Sequence, residues 1–272
     1  MTGGSLPDAL LFEAITRASS RLGNFGRPLH WYPEVSSTND LAARFAEHGA
    51  AEGCLVVADA QTAGRGRLGR LWSSPAGAGI YASLVLRPAA HVSPFLTLAA
   101  GVAIAEGIQA ATGLVAGVKW PNDIYVDSGS TSRKLAGILS EAGASPSGDS
   151  HVVVGFGINL LPAAYPSDVA ARATSIEAEL GRQVDRGLVL AECLASLRAR
   201  YDELGSGRSA AVIEAWRVRA QATFGRAVEW DTPDGRGHGI AETVDDTGAL
   251  IVRSDAVLTR IISGEVRWVQ GG

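Results

Sequence analysis

The nine residues Gly64-Arg65-Gly66-Arg67-Leu68-Gly69-Arg70-Leu71-Trp72 constrain this chain more than any other stretch. Arginines separated by glycines make a flexible loop of guanidinium forks and open backbone N–H groups, and such a loop is suited to an anion. A solvated basic loop is the competing reading, because charge runs usually face water. The flanks weigh against it. Ala58-Asp59-Ala60-Gln61-Thr62 ends an apolar, β-branched run before the loop, and Trp72 closes it with a large apolar face. An Arg/Gly-rich nucleic-acid tail would repeat its motif, and here the motif occurs once.

At 272 residues, 46% hydrophobic and 19% charged, the chain can bury one large core and a small second domain. Its net charge of −4 provides no general basic field for nucleic acid or an anionic membrane, so a phosphate ligand must be held by a local cluster. Cys54 and Cys193 lie far apart without metal-ligand spacing and read as buried thiols of a cytoplasmic protein. Asp8 and Glu13 stand where a secretion signal would be apolar. Residues 96–118 are nearly uncharged, but they include Glu106 and Gln109 and are short of large aliphatics, so a buried helix is expected there and no membrane span.

In chain order, helical and strand periods alternate. Leu11, Ala14, Ile15, Ala18 and Leu22 make a helix stripe over 10–22. A strand at 30–35 leads to Ser36-Ser37-Thr38-Asn39, an N-cap signature for a helix at 41–48. One serine caps; the other hydroxyl and Asn39 are expected to face a ligand at the helix N-terminus. Strands follow at 55–58 and 80–87, with a long helix from Pro94 to Ala111. Residues 115–140 read as strand, break at Pro121-Asn122-Asp123, strand, polar turn at 127–132 and strand. In a strand at 151–158, Gly155 and Gly157 share one face and permit close approach of a ligand or backbone. Residues 160–172 read as a mobile loop, and helices are expected at 175–180, 187–204 and 209–222. From Gly225 the pattern changes to short strands with turns at Thr232-Pro233-Asp234-Gly235 and Asp245-Asp246-Thr247-Gly248, a separate all-β barrel. The expected domains are 1–222 and 223–272.

Of the 24 basic side chains only Lys119 and Lys134 are lysine, and they flank one hairpin. A compact ammonium meets a carboxylate or phosphate as a point charge where a planar guanidinium would not fit. With Arg65, Arg67 and Arg70 the two lysines can surround a dense anion; for Lys119 an internal ion pair with Asp123 competes. On a regular strand Lys134 should face the pocket together with Ala136, while Leu135 faces the core.

These residues carry a family resemblance. The loop resembles the GRGRxGRxW signature of biotin protein ligases, and Lys119-Trp120-Pro121-Asn122-Asp123 is similar to their KWPND segment. Arg133-Lys134-Leu135-Ala136-Gly137-Ile138-Leu139 resembles RKLAGIL, Gly155-Phe156-Gly157-Ile158-Asn159 resembles GxGIN, and Ser37-Thr38-Asn39 resembles STN. The match runs in family order over about 30–180, and Gly264-Glu265-Val266 resembles the C-terminal barrel of the family. Only about thirty residues precede the first matched strand, so the resemblance implies a short form without the DNA-binding helix-turn-helix of longer members. It also implies an α+β fold: a central mixed sheet flanked by helices, class II synthetase-like, with a small SH3-like barrel.

The implied chemistry is activation of biotin by Mg-ATP to biotinyl-5′-AMP, with release of pyrophosphate, then transfer to a lysine of a biotin carboxyl carrier domain. Lys134, Arg67, Arg65 and Asp123 would be catalytic. Ser37, Thr38, Asn39, Gln61, Gly64, Arg65, Trp72, Lys134, Gly137 and Gly155 would bind biotin. Arg67, Arg70, Trp72, Lys119, Asn122, Lys134, Gly157 and Asn159 would bind ATP or the adenylate. Neutral groups such as Ser37, Thr38 and Gln61 suit a polar, uncharged ureido ring in a dry pocket. No protein-ligated metal is expected, with Mg²⁺ carried on the ATP phosphates. A lipoate or octanoate transferase would share the fold but not the ureido pocket. A biotin carrier would need the Ala-Met-Lys-Met context, and Met1 is the sole methionine here. A nucleic-acid-binding module is disfavoured by the acidic balance.

Overall fold

The first apolar stripe closes into α1 (Ala9–Arg17) and α2 (Ser19–Leu22) in the computed structural model, which describes residues 9–128 and 131–269. Leu11, Ile15, Ala18 and Leu22 turn into the core as the stripe requires, although the helix breaks at Ala18. Strand β1 (Leu29–Val35) then runs parallel to β2 (Leu55–Gln61), with α3 (Thr38–Glu47) as the crossover that a parallel pair needs. Strand β3 (Gly79–Leu86) is buried along its whole length, as two covered faces demand.

Helix α4 (Leu96–Thr112) follows a 3-10 turn that contains Pro94, and it ends at Gly113 in the left-handed region, φ 81°. It is the one described helix long and apolar enough to cross a membrane, and most of it lies inside the protein. Gly107 explains the depth: a Cβ there would sit 2.4 Å from the Cα of Cys193, so the glycine lets the backbone of a later helix come against α4.

The sheet continues through β4 (Gly117–Lys119), β5 (Asp123–Ser128), β6 (Thr131–Ala144) and β7 (Ser150–Asn159), in the order β1-β2-β3-β7-β6-β5-β4. Strand β4 is shorter than the expected 115–120, and β6 runs beyond 140 because β7 pairs with it as far as Ala144. Of the polar turn expected at 127–132, residues 129 and 130 lie outside the described residues. The segment after β7 forms two 3-10 turns, Pro162–Ala164 and Ser167–Val169. It is followed by α5 (Ile176–Leu180), α6 (Arg186–Gly205) and α7 (Ser209–Arg219).

The change of pattern at Gly225 begins a second sheet, antiparallel and five-stranded: β8 (Ala227–Thr232), β9 (Gly235–Val244), β10 (Leu250–Ser254), β11 (Val257–Ile261) and β12 (Glu265–Trp268), ordered β11-β10-β9-β8-β12. The architecture is α+β, a mixed sheet flanked by helices with an SH3-like C-terminal unit. Val228, Val244 and Leu250 of the second sheet belong to the same apolar cluster as Leu98 and Trp216 of the helices.

Candidate active site

Facing residues of β6 and β7 form the floor of a trough. Gly137 pairs with Gly157 and Leu139 with Gly155, which puts three glycines on one face. Each missing side chain is replaced by another group. A Cβ on Gly155 would lie 1.8 Å from Oδ1 of Asn39, and one on Gly157 would lie 2.4 Å from Nε1 of Trp72. One on Gly137 would lie 3.1 Å from the Trp72 ring and 3.4 Å from Lys134 Nζ. The close approach expected at Gly155 and Gly157 is therefore made by side chains of the protein.

Lys134 reaches this trough through a β-bulge. Tyr125 of β5 pairs with Lys134 but Ile124 pairs with Ala136, so Leu135 is an extra residue. The bulge corrects the expected phase: Lys134 shares its face with Gly137, whereas Leu135 and Ala136 are both fully buried in the core. The Lys134 backbone is held from the other side, its N–H donating to Arg172 O at 2.8 Å and its carbonyl accepting from Thr174 N at 2.9 Å. Its ammonium lies 2.6 Å from Asp123 Oδ1 and 5.3 Å from the centre of the Trp72 ring.

Asp123 thus pairs with Lys134 and not, as weighed from sequence, with Lys119. Lys119 is buried, with Nζ 4.5 Å from the Trp268 ring centre and 5.4 Å from that of Tyr125. Burial pulls its pKa down from the ordinary 10.5 to about 8, against the opposing attraction of Asp123. A cation over two aromatic faces remains available to a ligand anion, and it is close to losing its proton.

The arginine loop is a small hairpin. Trp72 N donates to Gly64 O at 2.8 Å and Gly66 N to Arg70 O at 2.7 Å, with Leu68 (φ 56°) and Gly69 (φ 73°) at its tip. Its three guanidiniums diverge. Arg65 is held by Asp40 and Glu141, each at 2.5 Å. Arg70 pairs with Glu265 of β12. Arg67 points inward to Asn122 Oδ1 at 3.4 Å and to the Gly264 carbonyl at 3.3 Å, and burial lowers its pKa. Arg67 is therefore the loop arginine whose charge is least engaged by carboxylates.

At the start of α3, Ser37 caps the helix by accepting from Asp40 N at 3.4 Å. Gln61 Oε1 accepts from Thr38 N at 2.8 Å and lies 3.1 Å from the Thr38 hydroxyl. Gln61 Nε2 donates to Ser74 Oγ at 2.8 Å. Asn159 is almost fully buried and its amide donates to Thr174 O at 2.9 Å, so that nitrogen also fixes the segment beside Lys134.

Every residue singled out from sequence as a site residue lines one cleft of about 2090 Å³. Ligand pockets usually measure roughly 300–1,000 Å³, so this one has room for more than one small molecule. Sequence reasoning missed Tyr125, Arg172, Arg226 and Trp268 in its lining. Tyr125 was recoverable, being two residues from Asp123 on the same strand. Trp268 was not, since only tertiary packing brings β12 over Lys119.

A cleft with converging cations, an apolar indole wall and a neutral polar end is a place for activating an acid and passing it on, and the chain's relatives agree. Residues 31–159 match the model of the biotin/lipoate A/B protein ligase family, and 223–267 match that of the biotin protein ligase C terminal domain. The chain is 38% identical to the biotin--[acetyl-CoA-carboxylase] ligase of Paracoccus denitrificans over 242 residues, 85% of this chain and 97% of that one. It is 34% identical to the bifunctional ligase/repressor BirA of Bacillus subtilis over 260 residues, 94% of this chain and 78% of that one. The solved biotin protein ligase from Aquifex aeolicus in complex with biotin and ATP matches with a TM-score of 0.77 and 28% identity, covering 89% of this chain and 99% of that one. The fold and the cleft define a protein ligase of the biotin/lipoate class. Within that class the chain belongs to the biotin protein ligase family, and it is a biotin ligase.

Proposed function

We propose that the chain activates biotin with Mg-ATP as biotinyl-5′-AMP and then transfers the biotinyl group to a lysine of a biotin carboxyl carrier domain of a carboxylase, in the cytoplasm. The observation that carries this reading is the convergence of Lys134, Arg67 and Lys119 on the cleft that also holds Trp72 and the Thr38–Gln61 pair. In the first step the carboxylate oxygen of biotin attacks the α-phosphorus, the α–β anhydride bond breaks, and pyrophosphate leaves with Mg²⁺, which enters as part of the substrate. Carboxylate and phosphate repel, so the step needs fixed positive charge between them.

Lys134 supplies that charge at a depth set by the bulge and by its backbone bonds to Arg172 and Thr174. Arg67, half-buried and, among the described residues, without an ion-pair partner, takes the phosphate. Preorganised donors of this kind are each worth roughly 2.7–4 kcal/mol. Lys119 and Arg70 lie toward the nucleotide, with Asn122, Gly157 and Asn159. Ser37, Thr38, Asn39 and Gln61 take the ureido end, and Trp72, Gly137 and Gly155 shape the space for the apolar tail. Gly64 and Arg65 close the loop over it.

In the second step the acceptor amine attacks the carbonyl carbon of the mixed anhydride. The bond from that carbon to the phosphate oxygen breaks, AMP leaves with the electron pair, and the amine gives up a proton. Asp123, which pairs with Lys134 at 2.6 Å, would orient the incoming amine and receive that proton. Residues 1–222 would carry both steps, and 223–272 would close over the nucleotide side. The test is mass-spectrometric detection of biotinyl-AMP after incubation with biotin and Mg-ATP, then of a mass increase on an added carrier domain. Biotin-independent ATP turnover, or no adenylate, would refute the reading.

A further inference from the structure

Glu141 of β6 joins two parts of the site. Its Oε1 accepts from Arg65 Nη2 at 2.5 Å, and its Oε2 accepts from Asn39 Nδ2 at 3.0 Å. A carboxylate can only accept, so it turns the NH₂ side of Asn39 toward itself and the carbonyl Oδ1 away. Leu139 O, 3.2 Å from the same Nδ2, reinforces that orientation.

The orientation of Asn39 then fixes where the Ser83 proton goes. Ser83 is fully buried, with Oγ 2.6 Å from Asn39 Oδ1 and 2.8 Å from Thr38 Oγ1. It has one proton, and Oδ1 has none to give, so Ser83 donates to Asn39, while the Thr38 hydroxyl donates to Gln61 Oε1 at 3.1 Å. With that proton committed, Thr38 presents only lone pairs toward the cleft. The other end of the arginine loop is tied to the same groups, since Gln61 donates to Ser74 and Ser74 Oγ donates to Trp72 O at 3.2 Å.

We infer that Glu141 is a positioning residue that ties the arginine loop to the polar end of the cleft, holding Asn39, and through it Ser83 and the acceptor hydroxyl of Thr38, in place for ligand rings that present N–H donors. The inference rests on the proposed biotin reading for its ligand, but the tie to the loop is independent of it. Glu141 acts through Asn39 and Arg65 and touches no reacting atom.

The experiment compares wild type with Glu141→Ala, Glu141→Gln, Arg65→Gln and the Arg65→Gln/Glu141→Gln pair. Pyrophosphate release is measured with biotin and with biotin methylated on its ureido nitrogens. Glu141→Ala should raise the biotin KM about tenfold or more, as for loss of a charged hydrogen bond, and leave the ATP KM within about twofold. Preference for biotin over its methylated form should fall by a similar factor. Glu141→Gln, which can still accept from Asn39, should recover part of the loss. Because Arg65 and Glu141 share a contact, the double variant should be little worse than the worse single variant, not the product of the two. Equal rises in both KM values, an unchanged biotin KM, or fully additive effects would overturn the inference. Hydrogen exchange of residues 64–72 in the free protein separates this outcome from failure of the biotin reading. Glu141→Ala should speed that exchange while the melting temperature stays near wild type, even if wild type turned out not to use biotin. Unchanged exchange would sever the tie to the loop.

Discussion

Lys134 and Lys119 carry the same charge in different settings, and the settings predict different phenotypes. Lys134 sits over Trp72 and the face of Gly137, paired with Asp123, so a longer planar group has no equivalent space. Lys134→Ala is expected to slow biotinyl-AMP formation by about 10²–10³-fold, and Lys134→Arg should not restore it; single-turnover adenylate formation is the measurement. Near-normal turnover by Lys134→Arg would move the central cation elsewhere. Lys119 should announce itself through pH. With its pKa lowered by burial to about 8, the free enzyme loses this charge as pH rises through 8, so kcat/KM for ATP should decline there. Lys119→Arg, which does not titrate, should lack that decline. The stability effect has the opposite direction. Between about 8 and the ordinary 10.5 the unfolded chain holds the proton that the folded chain has released, so this group's contribution to stability rises with pH across that window. Below 8 both states are charged and the cost of burying the ammonium is constant. Urea midpoints at pH 7.5 and 9.5, for wild type and Lys119→Met, check the sign.

At the scale of elements, what could be read from sequence depended on how far apart the partners lie. The cap at Ser37, the glycine face of β7 and the strand carrying Lys134 follow from local spacing, and all three are present. The bulge at Leu135 is a register event between β5 and β6, and alternation within β6 alone carries no sign of it. The same limit hid the pairing of Asp123 with Lys134, since Lys119 is the neighbour of Asp123 in β4 while Lys134 arrives from β6. The glycine face gives a direct prediction. Gly155→Ala would place its methyl at the position of Asn39 Oδ1, so Asn39 must move. The overpacking should cost roughly 1–3 kcal/mol, and the biotin KM should rise more than the ATP KM. A KM for biotin equal to wild type would show that Asn39 can be displaced without consequence. The arginine hairpin is expected to be protected from hydrogen exchange by biotinyl-AMP, because Arg65 and Arg70 already have carboxylate partners and the adenylate anion gives Arg67 a partner. Equal exchange with and without the adenylate would dismiss that idea.

For the whole molecule the question is whether the second sheet is an appendage or part of one cooperative body. Several kinds of contact join the halves. Trp120 Nε1 donates to Gly248 O at 3.0 Å, and Arg217 donates twice to Val244 O, at 2.8 and 3.0 Å. Leu98 of α4 lies so close beneath Gly248 that a Cβ there would be 2.7 Å from it. Over the cleft, Trp268 receives Lys119 on its ring at 4.5 Å and Arg226 at 4.5 Å, while Arg70 of the loop pairs with Glu265. Since Val228, Val244 and Leu250 lie in one apolar cluster with Leu98 and Trp216, separating the sheets would expose core on both sides. Equilibrium unfolding in urea is therefore expected to be a single transition, with amides of β3 and of β9 losing protection at the same denaturant concentration. Trp268→Ala removes a contact at the cleft from a partly buried ring at the margin of that core. It should keep the single transition, raise the ATP KM and leave biotin binding close to wild type. If β9 loses protection well before β3, the second sheet is an independent unit and its contribution to the cleft is transient closure rather than a fixed wall.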